Sequence, residues 1–154
     1  MRILVVGGGG LVGKAAISKL RGGNEIIIAG RTSGDVNVDL MNEASVAAMY
    51  KKTGMVDAVV ACTGHSHFGP VKDMTPKQFL DGLKDKLMDQ INLVVLGMAH
   101  VNDGGSFTLT SGILSHAAIR QGANAAAIDG AIDSFVITAA IEMPRGIKIN
   151  AVSP

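Results

Sequence analysis

Short apolar runs alternate with helix-length segments along the chain, the pattern of βαβ units and a parallel sheet. Arg2–Val6 is a short apolar run, as expected of a strand covered on both faces. Leu11–Arg21 carries apolar residues at Leu11, Ala15, Ile17 and Leu20 and stops at Gly22-Gly23, which predicts a helix and its C-terminus. Glu25–Ala29 reads as a second strand and Val36–Val38 as the stub of a third. A helix over Asn42–Lys52 and a strand over Asp57–Ala61 follow. Thr75 and Pro76 form an N-cap and first-turn pair, and the helical pattern from there to His100 breaks into two near Gly82 or Lys86. Gly105–Thr110 is a strand, Ser111–Gly122 a loop, Ala123–Met143 a long small-residue helix ended by Pro144, and Ile147–Val152 a last strand. The pattern predicts an α/β fold: a Rossmann-like, doubly wound parallel sheet in three α/β/α layers, in a single domain.

Composition narrows the picture. The 154 residues suit one domain, spanning residues 1–154. A doubly wound domain usually continues past a strand such as Ile147–Val152, so more of the fold is expected beyond Pro154. A net charge of +1 argues against a nucleic-acid binder or a polybasic membrane anchor. One cysteine, Cys62, excludes an internal disulfide and a cysteine-cluster metal site, and no metal is expected. The opening apolar stretch is too short for a signal peptide or a membrane span, and the chain reads as cytoplasmic. Only 18% of residues are charged, which leans towards a homodimer or homotetramer burying part of the surface.

The candidate chemistry starts at the first strand–helix junction. Gly7, Gly10 and Gly13 are spaced three apart there. The first lets the strand turn, the second lets a pyrophosphate approach the backbone, and the third lets helix and sheet pack closely. The helix beginning at Leu11 and Val12 then offers free N–H groups and its positive end to phosphates. At the end of the second strand stand Arg31, Thr32 and Ser33, with no carboxylate before Asp35. A guanidinium there can pair with a ribose 2′-phosphate, and the hydroxyls can donate to it, so NADP(H) is expected over NAD(H). Lys14 can add charge nearby.

Together with further motifs, these residues resemble the short-chain dehydrogenase/reductase family over almost the whole chain. Val6–Gly13 is similar to its glycine motif, and Asp39-Leu40 to the place where an aspartate contacts the adenine amino group. Ala61-Cys62-Thr63-Gly64 stands where the family commonly has Asn-Asn-Ala-Gly, with Gly69-Pro70 following. Asn92 resembles the family's helix asparagine, Thr110-Ser111-Gly112 the strand end with its catalytic serine, and Asn150–Pro154 the approach to its Pro-Gly turn. The resemblance implies a cofactor laid across the C-terminal strand ends between the first and fourth strands. It also implies catalytic roles for Ser111 and Asn92, with Thr63 and Gly64 beside the cofactor.

The departures matter as much. The family's tyrosine and lysine, about thirteen and seventeen residues after the serine, fall on Asn124 and Ile128. The only tyrosine, Tyr50, lies far upstream, and the only lysine after Ser111 is Lys148, on a strand. His65, His67 and His116 are candidates by residue type for a substitute proton donor, against the commoner reading of loop histidines as solvated. Asp129 and Asp133 share a helix stripe and read as a surface feature, and Cys62 reads as an inert thiol. The resemblance therefore implies an oxidoreductase acting on a carbonyl or alcohol, with weak or lost activity. The alternative is a non-catalytic NADP(H)-binding sensor or scaffold.

Overall fold

The computed structural model describes all residues, 1–154. Six strands form one parallel sheet: β1 (Arg2–Val6), β2 (Glu25–Gly30), β3 (Val36–Asn37), β4 (Val56–Ala61), β5 (Val101–Thr110) and β6 (Lys148–Val152). Their spatial order is β3-β2-β1-β4-β5-β6. The connection reverses direction at β1, which lies between β2 and β4, so a crevice opens at the C-terminal ends of these strands.

The helices are α1 (Leu11–Leu20), α2 (Glu43–Thr53), α3 (Pro76–Gly82), α4 (Asp89–Gly97) and α5 (Ala123–Ala139). On one sheet face, side chains of α2, α4 and α5 close the main core, with Tyr50, Leu93, Ile128 and Ile132 against Leu4, Val6 and Phe107. On the other face α1 sets Ile17 against Ile3 and Val5. Tyr50 belongs wholly to this packing. Its hydroxyl donates to the Leu93 carbonyl (2.7 Å), its ring stacks on His100 at 5.2 Å, and burial pushes the phenol well above its usual pKa.

Several boundaries differ from those expected. The break near Gly82 or Lys86 is a π-helical stretch, Leu83–Met88, that joins α3 to α4 with right-handed helical backbone at both junctions. The wider turn bends the run without interrupting it. Helix α5 ends at Ala139 instead of Met143, because tight turn bonds (Ile141 to Thr138, Glu142 to Ala139) take over before Pro144. Strand β5 begins at Val101, four residues early, with a register shift against β4 between Val56 and Ala58. The Thr75 cap is as expected: a capping box with Gln78, and Pro76 in the first turn.

Candidate active site

The β1–α1 turn is built by steric necessity. Gly7 has φ +79°, and a Cβ on Gly13 would strike the Gly7 carbonyl and the Gly8 Cα. That close approach sets α1 down on the sheet with its first turn aimed at the crevice. No side chain caps this end and no acidic residue lies in its first turn. The N–H groups of Leu11, Val12 and Gly13 are therefore free for an anion. The crevice is an open cleft of about 620 Å³ lined by Gly7, Gly10, Leu11 and Val12, by Arg31, Thr32 and Ser33, and by Leu40, Thr63 and Gly64. Gly13 lies beneath it as a packing residue.

Asp39 is not among the lining side chains. Its carboxylate accepts from the Met41 backbone N–H (3.1 Å) and closes its own turn. The acids that do line the cleft are Asp85 and Asp89; Asp89, at the start of α4, is 2% exposed and has its Oδ1 unpartnered. Burial pushes its carboxyl up to about 7; nearby Asp85 and Asp39 add to the rise and Arg31 opposes it. The folded value lies above the unfolded one, so the stabilising protonated form is complete below pH about 4. Its contribution is lost as pH rises through about 7. In an open cleft, solvent screening reduces the effect, and Asp89→Asn is expected to exceed wild type by about 1–2 kcal/mol at alkaline pH. At acidic pH the two should coincide. Denaturant unfolding at both pH values checks this, and a gain independent of pH would contradict it.

Arg31 is 74% exposed in its side chain and lies 3.6 Å from Asp85. Asp85 also accepts from the backbone N–H of His65 and sits 3.1 Å from its Nδ1. Such an exposed pair is weak, and Arg31 can leave it for a phosphate. Asp35, the first acid after β2, accepts from the Ile28 N–H (2.8 Å) and is held in the loop. Cys62 also lines the cleft, and burial raises its thiol pKa, as expected of an inert thiol.

A second cleft of about 400 Å³ shares Gly64 and His65 with the first. It is lined further by Lys86 from the π-helical bend, Gly112 after β5, and Ala125 and Asp129 of α5. Asn124 and Ile128 are fully buried and face inward. Asn124 accepts from the His67 N–H (2.9 Å) and donates to the Phe79 carbonyl (2.9 Å), tying the loop after β4 to α3. The pair with spacing four that faces the cleft is Ala125 and Asp129, one residue later. Neither can act as tyrosine or lysine.

Nor is Asp129 a surface feature. It is 2% exposed, and its Oδ1 accepts from Lys86 Nζ at 2.7 Å. Lys86 also donates to the Ser111 carbonyl (3.1 Å) and is 13% exposed. The Ser111 hydroxyl donates to the Asp129 backbone carbonyl (3.1 Å), and the residue is 2% exposed. Asn92 donates to the Leu40 carbonyl (2.8 Å) and lines neither cleft; the side chain that enters the second cleft from this helical run is Lys86. His116 is exposed, with its Nε2 3.7 Å from Asp133. Gly64, at φ +110°, backs directly onto Lys86, whose Cα, Cβ and Cγ would lie 2.6 Å from an added Cβ. Gly64→Ala is expected to cost about 2–3 kcal/mol in denaturant unfolding, from combined strain and collision. A loss below half of that would show that the bend yields freely.

Sequence reasoning missed Lys86, Asp89 and Ala125. A signal existed only for Asp129, which lies four residues after a small residue on the helix expected to face the site.

A parallel 3-2-1-4-5-6 sheet with a glycine turn at its switch point defines a Rossmann-like, doubly wound fold. The family model described as enoyl-(acyl carrier protein) reductase, of the short-chain dehydrogenase group, matches residues 13–154. The chain belongs to the short-chain dehydrogenase/reductase family. It is 30% identical over 128 residues to versicolorin reductase 1 of Aspergillus parasiticus, covering 77% of this chain and 48% of that protein. It is 26% identical over 102 residues to glucose and ribitol dehydrogenase homolog 2 of Arabidopsis thaliana, covering 66% and 35%. The chain thus spans between a third and a half of these curated relatives. Among solved structures, the protein lin1944 from Listeria innocua is 49% identical with a TM-score of 0.97, over 100% of this chain and 77% of that one. A small-chain dehydrogenase in complex with NADPH is 28% identical with a TM-score of 0.92, over 100% and 69%. No helix is long and apolar enough to cross a membrane.

Proposed function

We propose that the β1–α1 cleft binds NADP(H) and that the chain serves hydride transfer at a carbonyl or alcohol carbon, slowly with ordinary carbonyls. The observation that carries this is an open cleft with uncapped first-turn amides at one end and Arg31, Thr32 and Ser33 at the end of β2. These residues fit the group. The amides suit a diphosphate, and the guanidinium and hydroxyls suit a 2′-phosphate; the end of β2 itself carries no carboxylate before Asp35, which is held in the loop, while Asp85 and Asp89 reach the cleft from the helical run after β4. The solved relative bound to NADPH supports the same reading. When bound, the dinucleotide supplies or accepts hydride; the protein contributes position and electrostatics.

The test is titration with both dinucleotides. Arg31→Ala is expected to weaken NADPH by about tenfold to a hundredfold, the worth of one charge-assisted contact. NADH affinity should stay nearly unchanged. Equal losses for both would refute the 2′-phosphate role of Arg31. A second reading is a cofactor-binding sensor without turnover, favoured by one observation: α5 carries no tyrosine. NADPH binding without oxidation against a broad carbonyl panel would select that reading.

A further inference from the structure

The second cleft holds a charged pair that the family resemblance does not account for. Lys86 and Asp129 come from different helical runs and meet behind the C-terminal end of β5. Burying two charges is costly, and replacing such a pair by apolar residues is often neutral or stabilising. A pair kept in the wall of an open cleft, beside the proposed cofactor site, therefore invites a role beyond stability.

The geometry defines what the pair can do. Two of the three ammonium hydrogens of Lys86 are engaged, one on Asp129 Oδ1 (2.7 Å) and one on the Ser111 carbonyl (3.1 Å). The third is free, and the residue lines the cleft. The Ser111 hydroxyl is turned onto the Asp129 backbone and cannot point into the cleft without leaving that bond. Asp129 is acceptor-only and already satisfied by the ammonium. Lys86 is thus the cationic donor, fixed by Asp129, that is presented to a bound molecule where the cleft joins the dinucleotide cleft at Gly64 and His65. The bend helps: its backbone is pressed against Gly64, and Gln90 Nε2 donates to the Lys86 carbonyl (3.2 Å), so the lysine stem has little freedom.

We propose that Lys86 is a catalytic residue that binds the substrate's reacting oxygen and protonates it, with Asp129 as the positioning residue that holds the ammonium in place. This rests on the NADP(H) reading and extends it to a carbonyl substrate. In the reductive direction the bound dinucleotide would supply hydride to the carbonyl carbon, and the C–O π pair would move onto oxygen. An ammonium proton of Lys86 passes to that oxygen, giving the alcohol, and the neutral amine regains a proton from solvent. The carbonyl is reduced and the nicotinamide oxidised. An alkoxide is far more basic than an amine, so the proton moves downhill once charge develops.

Acetate serves as the probe, a small oxyanion titrated against the protein with and without NADP⁺. In protein labelled with ¹⁵N-lysine, the Lys86 Nζ resonance is identified by its absence in Lys86→Arg, and acetate is expected to shift it. Acetate affinity should fall roughly tenfold in Lys86→Gln/Asp129→Asn, the worth of one charge-assisted hydrogen bond. That double variant removes both charges together and leaves neither buried alone. Lys86→Arg should retain most of the affinity. NADPH affinity should be unchanged in both variants. A Lys86 resonance unmoved by acetate, or acetate affinity unaffected in a folded double variant, would overturn the proposal. Failure of wild type to bind NADPH would instead overturn the cofactor reading and the protonation step with it, while the acetate arm on the cofactor-free protein still decides whether Lys86 holds an oxyanion in the second cleft.

Discussion

Installing Asn124→Tyr with Ile128→Lys, the apparent repair of the missing pair, is expected to unfold the domain and restore no reductase activity. Both positions are fully buried. Tyrosine at 124 would lose the bonds to His67 and Phe79 and enter space already filled, since Gly82 lies against the Asn124 amide. Overpacking of that kind costs about 1–3 kcal/mol, and the unpartnered groups add about as much. Lysine at 128 would place an unpaired ammonium in the main core, at a further cost of several kcal/mol. The sum rivals the whole stability of a typical domain, about 5–15 kcal/mol. Circular dichroism and denaturant unfolding of the double variant check this. A cooperatively folded protein with near wild-type stability would mean that α5 can rotate to present 124 and 128 to the cleft.

The second large effect is expected at the glycine turn. Gly13→Val should reduce NADPH affinity by more than about a hundredfold and cost about 3 kcal/mol or more of stability. The cause is geometric. Even a Cβ at 13 would collide with the Gly7 carbonyl, so α1 must lift from β1 and carry the Leu11 and Val12 amides away from the cleft. Two measurements separate the parts: calorimetric titration for the cofactor, and thermal unfolding without cofactor for the helix–sheet contact. Preserved NADPH binding in this variant would remove the β1–α1 turn from the site.

These effects differ in how far the chain announced them. The glycine spacing at 7, 10 and 13 follows an apolar strand and precedes a helix, so its placement under the crevice was legible from local pattern. So was Arg31, because the residue that follows a strand in a parallel sheet must emerge at the C-terminal edge. The same holds for Tyr50, whose helix stands apart from the strand ends. Asp39 and Asn92 were expected at the site from their motifs, yet Asp39 closes its own turn and Asn92 serves Leu40. Asp129 was expected in solvent because its spacing from Asp133 marks a polar stripe. Stripe spacing reports which residues share a helix side, not what that side meets.

Local signals, then, were enough for the order of strands and helices, the parallel sheet and the glycine turn at the crevice, since each depends on neighbours in the chain and on burial of apolar runs. The wall of the second cleft was decided by long-range packing. One residue along a helix is a rotation of about 100°, so the Ser111–Gly122 loop determines whether 124 and 128 or 125 and 129 face outward. The π-helical bend likewise brings Lys86 to a partner 43 positions away. Rotation and bend are settled only when the helices seat against the sheet, where buried charge must find its partner.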